Sequence, residues 1–178
     1  MRVKLVFLAA IVTLVHLPRL VSAQELSGKS AVLSIQPISA MLTVWAGEAE
    51  LALSRSATLG FGGTYWGPDI TNGDFNYLSG DVKLRYYPDA KPFQGFSFGG
   101  SVGVTRVSAS DNNTQNTGSA TGASIGVMLD YNWLLGTQKS FYVGLGLGAK
   151  RLFISDKSIS DNATVMYPTA RISVGWAF

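Results

Sequence analysis

The stretch YPTARISVGWAF, Tyr167–Phe178, decides the fold. Phe178, Trp176, Val174, Ile172 and Ala170 occupy one parity, and Gly175, Ser173, Arg171, Thr169 and Tyr167 the other. Side chains alternate between the two faces of a strand, so this run has one wholly apolar face and one small, polar or charged face. The last residues of most domains fray because they gain little by ordering. Here the alternation continues through Phe178, as in a strand held along its whole length.

The same pattern recurs upstream. In Phe141–Ile154, Phe141, Val143, Leu145, Leu147 and Ala149 oppose Gly144, Gly146, Gly148 and Lys150; in Phe75–Tyr87, Val82, Leu84 and Tyr86 oppose Asp81, Lys83 and Arg85. Between Thr43 and Leu53, Trp45, Leu51 and Leu53 oppose Glu48 and Glu50. Gly118–Trp133, Phe93–Val107, Ser56–Trp66 and Ala163–Phe178 read the same way. An earlier run, Ala31–Ile38, supplies an eighth strand with a tight turn around Ser39–Met41, or else a plug that leaves seven. Pro37 makes it the weakest, since proline cannot donate to a ladder and a closed barrel has no free edge to hold it. No sustained helical period occurs after residue 23.

The connections are of two alternating kinds. LSRSA, YPDAKPF and LLGTQKS are short, whereas GPDITNGDF, SASDNNTQNTG and SDKSISDNA are longer and polar. Short turns at one end and longer loops at the other are the asymmetry of an outer-membrane barrel with an even strand number.

The first 23 residues are set apart. Arg2 and Lys4 precede the apolar run Leu5–Val15, and Val21-Ser22-Ala23 ends on small residues, which is the pattern of a signal peptide cleaved after Ala23. The run is too short for a membrane-spanning helix, which needs ~20 apolar residues. The whole chain carries 14 basic and 11 acidic residues. Arg2, Lys4 and Arg19 belong to the signal, so the domain 24–178 has 11 of each sign, and its charge implies no nucleic-acid partner. Cysteine is absent and the one histidine, His16, lies in the signal.

Alternation alone also fits an exported soluble barrel that turns its apolar face inward around a lipophilic ligand. Three features favour the membrane. Several candidate strands exceed the ~9–11 residues of a tilted crossing. Aromatics gather at strand ends, among them Tyr65, Trp66, Tyr86, Tyr87, Tyr131, Trp133, Phe141, Tyr142, Trp176 and Phe178, where interfacial girdles belong. Phe178 and Trp176, with Val174 and Ile172, are similar to the insertion signal read by the barrel assembly machinery. Together with RYYPDAKPFQGFSFGGSVG (Arg85–Gly103) and GVMLDYNWLLGTQKSFYVGLGLGAKRLF (Gly126–Phe153), the final stretch resembles small eight-stranded outer-membrane proteins of the OmpX or OmpW kind. The resemblance implies an all-β, antiparallel up-and-down transmembrane barrel in the outer membrane, and no catalytic residues.

On this facing, Glu48, Glu50, Asp81 and Asp130 meet Lys83, Arg85, Lys150 and Arg171 inside. Unpaired charges in so narrow an interior would each cost several kcal/mol, so pairing is expected. Full pairing would plug the lumen; partial pairing would leave a narrow pore lined by Gly60, Gly62, Gly99, Gly103, Gly126, Gly144, Gly146 and Gly148. Without His or Cys in the exported domain, a Ser-His mechanism and a transition-metal site are excluded, and no enzyme and no cofactor are expected. The loop acids Asp69, Asp74, Asp111, Asp156 and Asp161 match no calcium-loop spacing and read as solvated charges.

Arg106 and Arg151 fall on the lipid-facing parity at the loop ends of their strands, with Lys157 beyond. They either contact lipopolysaccharide phosphates or simply snorkel at the rim. The expected protein is a monomer whose partners are outer-membrane lipid, lipopolysaccharide and the assembly machinery. Its expected role is structural or surface-binding, with a small-solute channel as the alternative.

Overall fold

The computed structural model describes residues 28–70, 73–111, 116–154 and 163–178; the expected signal segment and Lys157 lie outside them. Eight strands form the wall: β1 (Ala31–Ile35), β2 (Val44–Ala52), β3 (Ala57–Trp66), β4 (Gly73–Tyr86), β5 (Gly95–Asp111), β6 (Asn116–Leu135), β7 (Phe141–Ile154) and β8 (Ala163–Ala177). A short helix α1 (Pro37–Met41) joins β1 to β2. Asp69–Ile70 adds only a two-residue bridge to the start of β4. Sequential strands pair antiparallel, and β1 also pairs with β8, which closes the sheet into an up-and-down barrel.

The register sets the shape. Starting at Leu33, partners run through Ala49, Phe61, Val82, Val102, Ile125 and Arg151 to Met166. The partner of Leu33 on β8 is Trp176, ten residues on from Met166. A stagger of ten over eight strands, with strands ~4.8 Å apart and a rise of ~3.3 Å per residue, tilts the strands by about 40° and gives a radius of about 8 Å. Each residue then climbs ~2.5 Å along the barrel axis. On that scale the turn-end rim is nearly level, but the loop-end rim is not. The tip of the β1–β2 hairpin stands about 20 Å below the tip of the β5–β6 hairpin.

The faces are as the alternation requires. Trp176, Phe178, Leu147, Val127 and Ile172 are exposed on the outside, while Glu48, Glu50, Arg85 and Asp130 are buried inside. Tyr86, Phe96, Phe98, Tyr131, Trp133, Phe141 and Trp176 ring the outside near the turn end, with Tyr86 and Phe98 5.3 Å and Tyr131 and Trp133 4.7 Å apart.

The structure corrects three expectations. The first strand ends at Ile35 instead of Ile38, because Pro37 opens a helical turn; proline is suited to a first helical position, where its missing N–H costs nothing. Thr43, with φ of 63°, then turns the chain into β2. The long loop after β5 is mostly strand: β5 and β6 extend to Asp111 and Asn116. Tyr87 and Tyr142 are not girdle residues but lie fully buried inside, and Trp66 packs against Phe75 at 5.2 Å.

Candidate functional site

The lumen holds the only dense cluster of ionisable side chains among the described residues. Strand alternation brings Glu48 and Glu50 from β2, Asp81, Lys83 and Arg85 from β4, Asp130 from β6, Lys150 from β7 and Arg171 from β8 into one interior. All eight make ion pairs. Arg85 contacts Glu48 at 2.5 Å, Glu50 at 2.9 Å and Asp130 at 2.8 Å. Lys83 pairs with Glu48, and Arg171 with Asp130 at 3.1 Å and Glu48 at 3.5 Å. Lys150 and Asp81 form a separate pair at 2.6 Å.

Arg85 is the hub, 1% exposed and shared by three carboxylates. A guanidinium suits this place because its fixed fork of donors serves several acceptors and it stays charged when buried.

Below the hub, on the turn side, a layer of neutral polar groups lies buried across the lumen. The Tyr87 hydroxyl donates to Glu50 at 3.1 Å, and Thr58 donates to the same carboxylate. Asn132 donates to Tyr87 and Ser97, each at 3.3 Å, and accepts from Tyr142 at 2.6 Å. Phe93, fully buried, packs edge-on against Tyr87 with ring centroids 6.5 Å apart. Sequence reasoning missed this layer. Asn132, Tyr87 and Tyr142 all lie on the inward parity of their strands, a detectable signal, although the two tyrosines sit at strand ends, where a girdle and an interior layer use the same residue type.

The inward glycines make room for the charges. A side chain at Gly60 would meet Glu48 Oε1 at 3.2 Å and Arg85 Nη1 at 3.3 Å; at Gly62 it would meet Lys83 Nζ at 2.9 Å. At Gly103, Gly126 and Gly146 as well, the space is taken by a charged side chain, of Asp81, Lys150 and Asp130 respectively.

Above the network a cavity of about 190 Å³ opens in the loop-side half of the lumen. Tyr77, Asp81, Lys83, Lys150, Thr169 and Arg171 are on its wall, and Gln36 reaches it from the β1–α1 junction.

Outside, Arg106 and Arg151 are both exposed on the outward parity, but they do not converge. Arg106 is level with Thr121 on β6 and Arg151 with Ile125, which separates them by four residues, about 13 Å along the strand. Arg151 lies over the Phe153 ring at 5.1 Å. Ile172, Trp176 and Phe178 form an exposed outward row on and just after β8, with Val174 between them half-buried.

A family profile described as "Protein of unknown function (DUF3575)" matches residues 7–162. The search of curated proteins finds no match. Among solved structures, the chain is similar to Ail, the attachment invasion locus protein of Yersinia pestis, at 13% identity and a TM-score of 0.52, over 85% of this chain and 99% of that one. The N-terminal β-barrel domain of OprF from Pseudomonas aeruginosa aligns at 17% identity and a TM-score of 0.48, over 85% and 98% of the two chains. The likeness to Ail is one of fold, the small barrel that the sequence resemblance implied.

Proposed function

The chain belongs to the DUF3575 family, and on that premise we propose that it is an integral outer-membrane barrel, closed by its own side chains, with a structural or surface-binding role. The observation that carries this reading is the inversion of the barrel. The outside between the rims is apolar, Leu147 and Val127 being 69% and 67% exposed, while four acids and four bases are inside. Monomeric soluble proteins rarely expose contiguous apolar patches above a few hundred Å², and a closed barrel of this tilt leaves no backbone group unsatisfied in lipid along its paired strands. The aromatic ring at the turn end fits an interfacial girdle.

The pairing of all eight interior charges supports a plug over a pore. The outward row ending at Phe178 is what the barrel assembly machinery would read, and Arg106 and Arg151 are the side chains best placed for lipopolysaccharide. The reading includes no catalytic step and no cofactor, and takes the protein as a monomer. The signal segment 1–23 would direct its export.

The test is single-channel conductance of the refolded protein in a planar bilayer. The plug predicts silence. Steady openings whose conductance changes in Lys83→Gln and Arg85→Gln would make it a pore.

A further inference from the structure

We infer that the loop-side cavity is a binding site for a single-chain amphiphile with an anionic head group, reached sideways over the low β1–β2 hairpin and along the unpaired edge of β8. This rests on the reading of the chain as a membrane barrel and goes beyond the structural role proposed for it.

The wall is unfinished at one seam. The β1–β8 ladder covers only Val32–Ile35 against Val174–Ala177, so β8 from Ala163 to Ser173 has no strand partner on that side among the described residues. Phe178 directs its backbone toward β1, donating to Ala31 O at 2.9 Å, whereas the N–H of Ala177 goes the other way, to Ser140 O at 2.7 Å. Backbone groups alternate along a strand, so Ile172, Ala170, Pro168 and Met166 all direct theirs to the open side. Pro168 has no N–H to offer there, which is how proline is placed on a free edge. It also disfavours capture of a partner strand, leaving the gap open to something other than backbone.

The gap lies at lipid depth, where the free backbone groups of β8 must be met by water or polar groups of the cavity behind it. From the turn-end girdle the β1–β2 tip rises only ~18 Å, whereas the apolar band of such barrels is ~25 Å tall. The tip is accordingly apolar, with Met41 84% and Leu42 69% exposed, unlike the polar connections elsewhere at this end. An alkyl chain would find lipid-like surface here.

The cavity behind the gap presents more cationic than anionic side chains on its wall, with Glu48 and Glu50 balancing them from behind. All four lumen bases border it, but only two of the four acids, Asp81 and Asp130, do so. Gln36 flanks it on one side of the seam, and Ala170 and Arg171 on the other. Arg171 Nε and Arg85 Nη2 are buried without a hydrogen-bond partner among the described residues. Unsatisfied buried donors of this kind call for an acceptor, and a carboxylate or phosphate serves a guanidinium best. Buried Tyr87, Asn132 and Tyr142 lie across the lumen below the site, on the side away from the seam.

The experiment uses the refolded full domain in lipid nanodiscs, with 11-(dansylamino)undecanoate as fluorescent probe and empty nanodiscs as the blank. The expected result is saturable binding, displaced by laurate or dodecyl phosphate; the tighter of the two names the head group. Gln36→Trp at the seam and Thr169→Trp in the cavity, both outside the ion network, should each weaken binding at least tenfold without altering heat-modifiable gel migration. Arg171→Gln should do likewise, and Arg171→Lys should restore most of it. The inference is overturned by a signal no greater than the blank, by equal displacement with dodecyltrimethylammonium, or by inorganic phosphate competing as well as dodecyl phosphate. Wild-type binding in both tryptophan variants would also overturn it. A silent barrel that does not bind refutes this inference alone, and a conducting barrel that binds refutes only the plug.

Discussion

Lys150 on β7 and Asp81 on β4 pair across the lumen at 2.6 Å, apart from the six-membered network around Arg85. Because neither shares a partner with the larger cluster, this pair can be exchanged as a unit. Breaking a buried pair strands one charge, whereas replacing both members with apolar residues of similar size is often neutral. Asp81→Leu and Lys150→Met, each alone, should destabilise the barrel by a few kcal/mol, and the double variant by much less than their sum. Urea midpoints followed by tryptophan fluorescence would measure this, and additive losses would mean the pair is not coupled.

Arg85 should be the costliest lumen residue to remove. Its loss leaves Glu48, Glu50 and Asp130 without their common cation, although Lys83 and Arg171 still reach Glu48 and Asp130. Arg85→Gln should cost at least the ~3–5 kcal/mol of a broken buried pair. The same urea titration reads it, and a loss under 1 kcal/mol would show that the hub is dispensable.

Gly60 tests the space argument independently of charge. Its Cβ position already meets Glu48 and Arg85 below 3.4 Å, so Gly60→Val must push one of them aside. A loss of about 1–3 kcal/mol is expected, typical of overpacking. Gly80, whose Cβ would meet nothing within 4 Å, is the matched control.

On the outside, depth should set the cost. Leu147 sits near the middle of the apolar band, and Leu147→Arg should destabilise by roughly 2–4 kcal/mol in a bilayer. Arg106, already near the loop-side interface, should be replaceable by Leu with a change of under about 1 kcal/mol. Equal costs at both positions would argue against a membrane around this surface, as would release of the native protein by alkaline carbonate washing.

Arg106→Ala and Arg151→Ala should each reduce lipopolysaccharide co-purification, and the double variant should do so roughly additively. The register holds them about 13 Å apart along β6, too far to share one phosphate. Unchanged co-purification in the double variant would leave them as rim residues that snorkel.

The wall and its facing were legible because period-2 alternation is enforced twice, by lipid-like exposure outside and by the confined interior. Each of the eight interior charges lay on a parity that an apolar neighbour had already fixed, as Arg85 between Leu84 and Tyr86. What failed were the ends. Tyr87 and Tyr142 continue the inward parities of Asp81–Arg85 and of Gly144–Lys150, but at a strand end an amphipathic tyrosine suits a girdle as well as an interior, and position outweighed parity in the reading. Pro37 advertised a break but not its form, since whether the chain turns or makes one helical turn is decided by contacts with β2 and β8. The inward glycines left room for a cavity, but its place in the loop-side half was not legible: it arises from unequal strand lengths around a stagger, which no single segment encodes.

The low β1–β2 hairpin also bears on the lipid. In a bilayer, the annulus beside it meets a wall several ångströms shorter than the hydrocarbon, while lipid beside β5–β6 meets one of full height. Hydrophobic mismatch of this kind is relieved by local thinning, at a fraction of a kcal/mol per ångström. Confined to one side, it gives the protein a direction in the membrane plane. Its outer-leaflet neighbours would be sorted by chain length on that side alone.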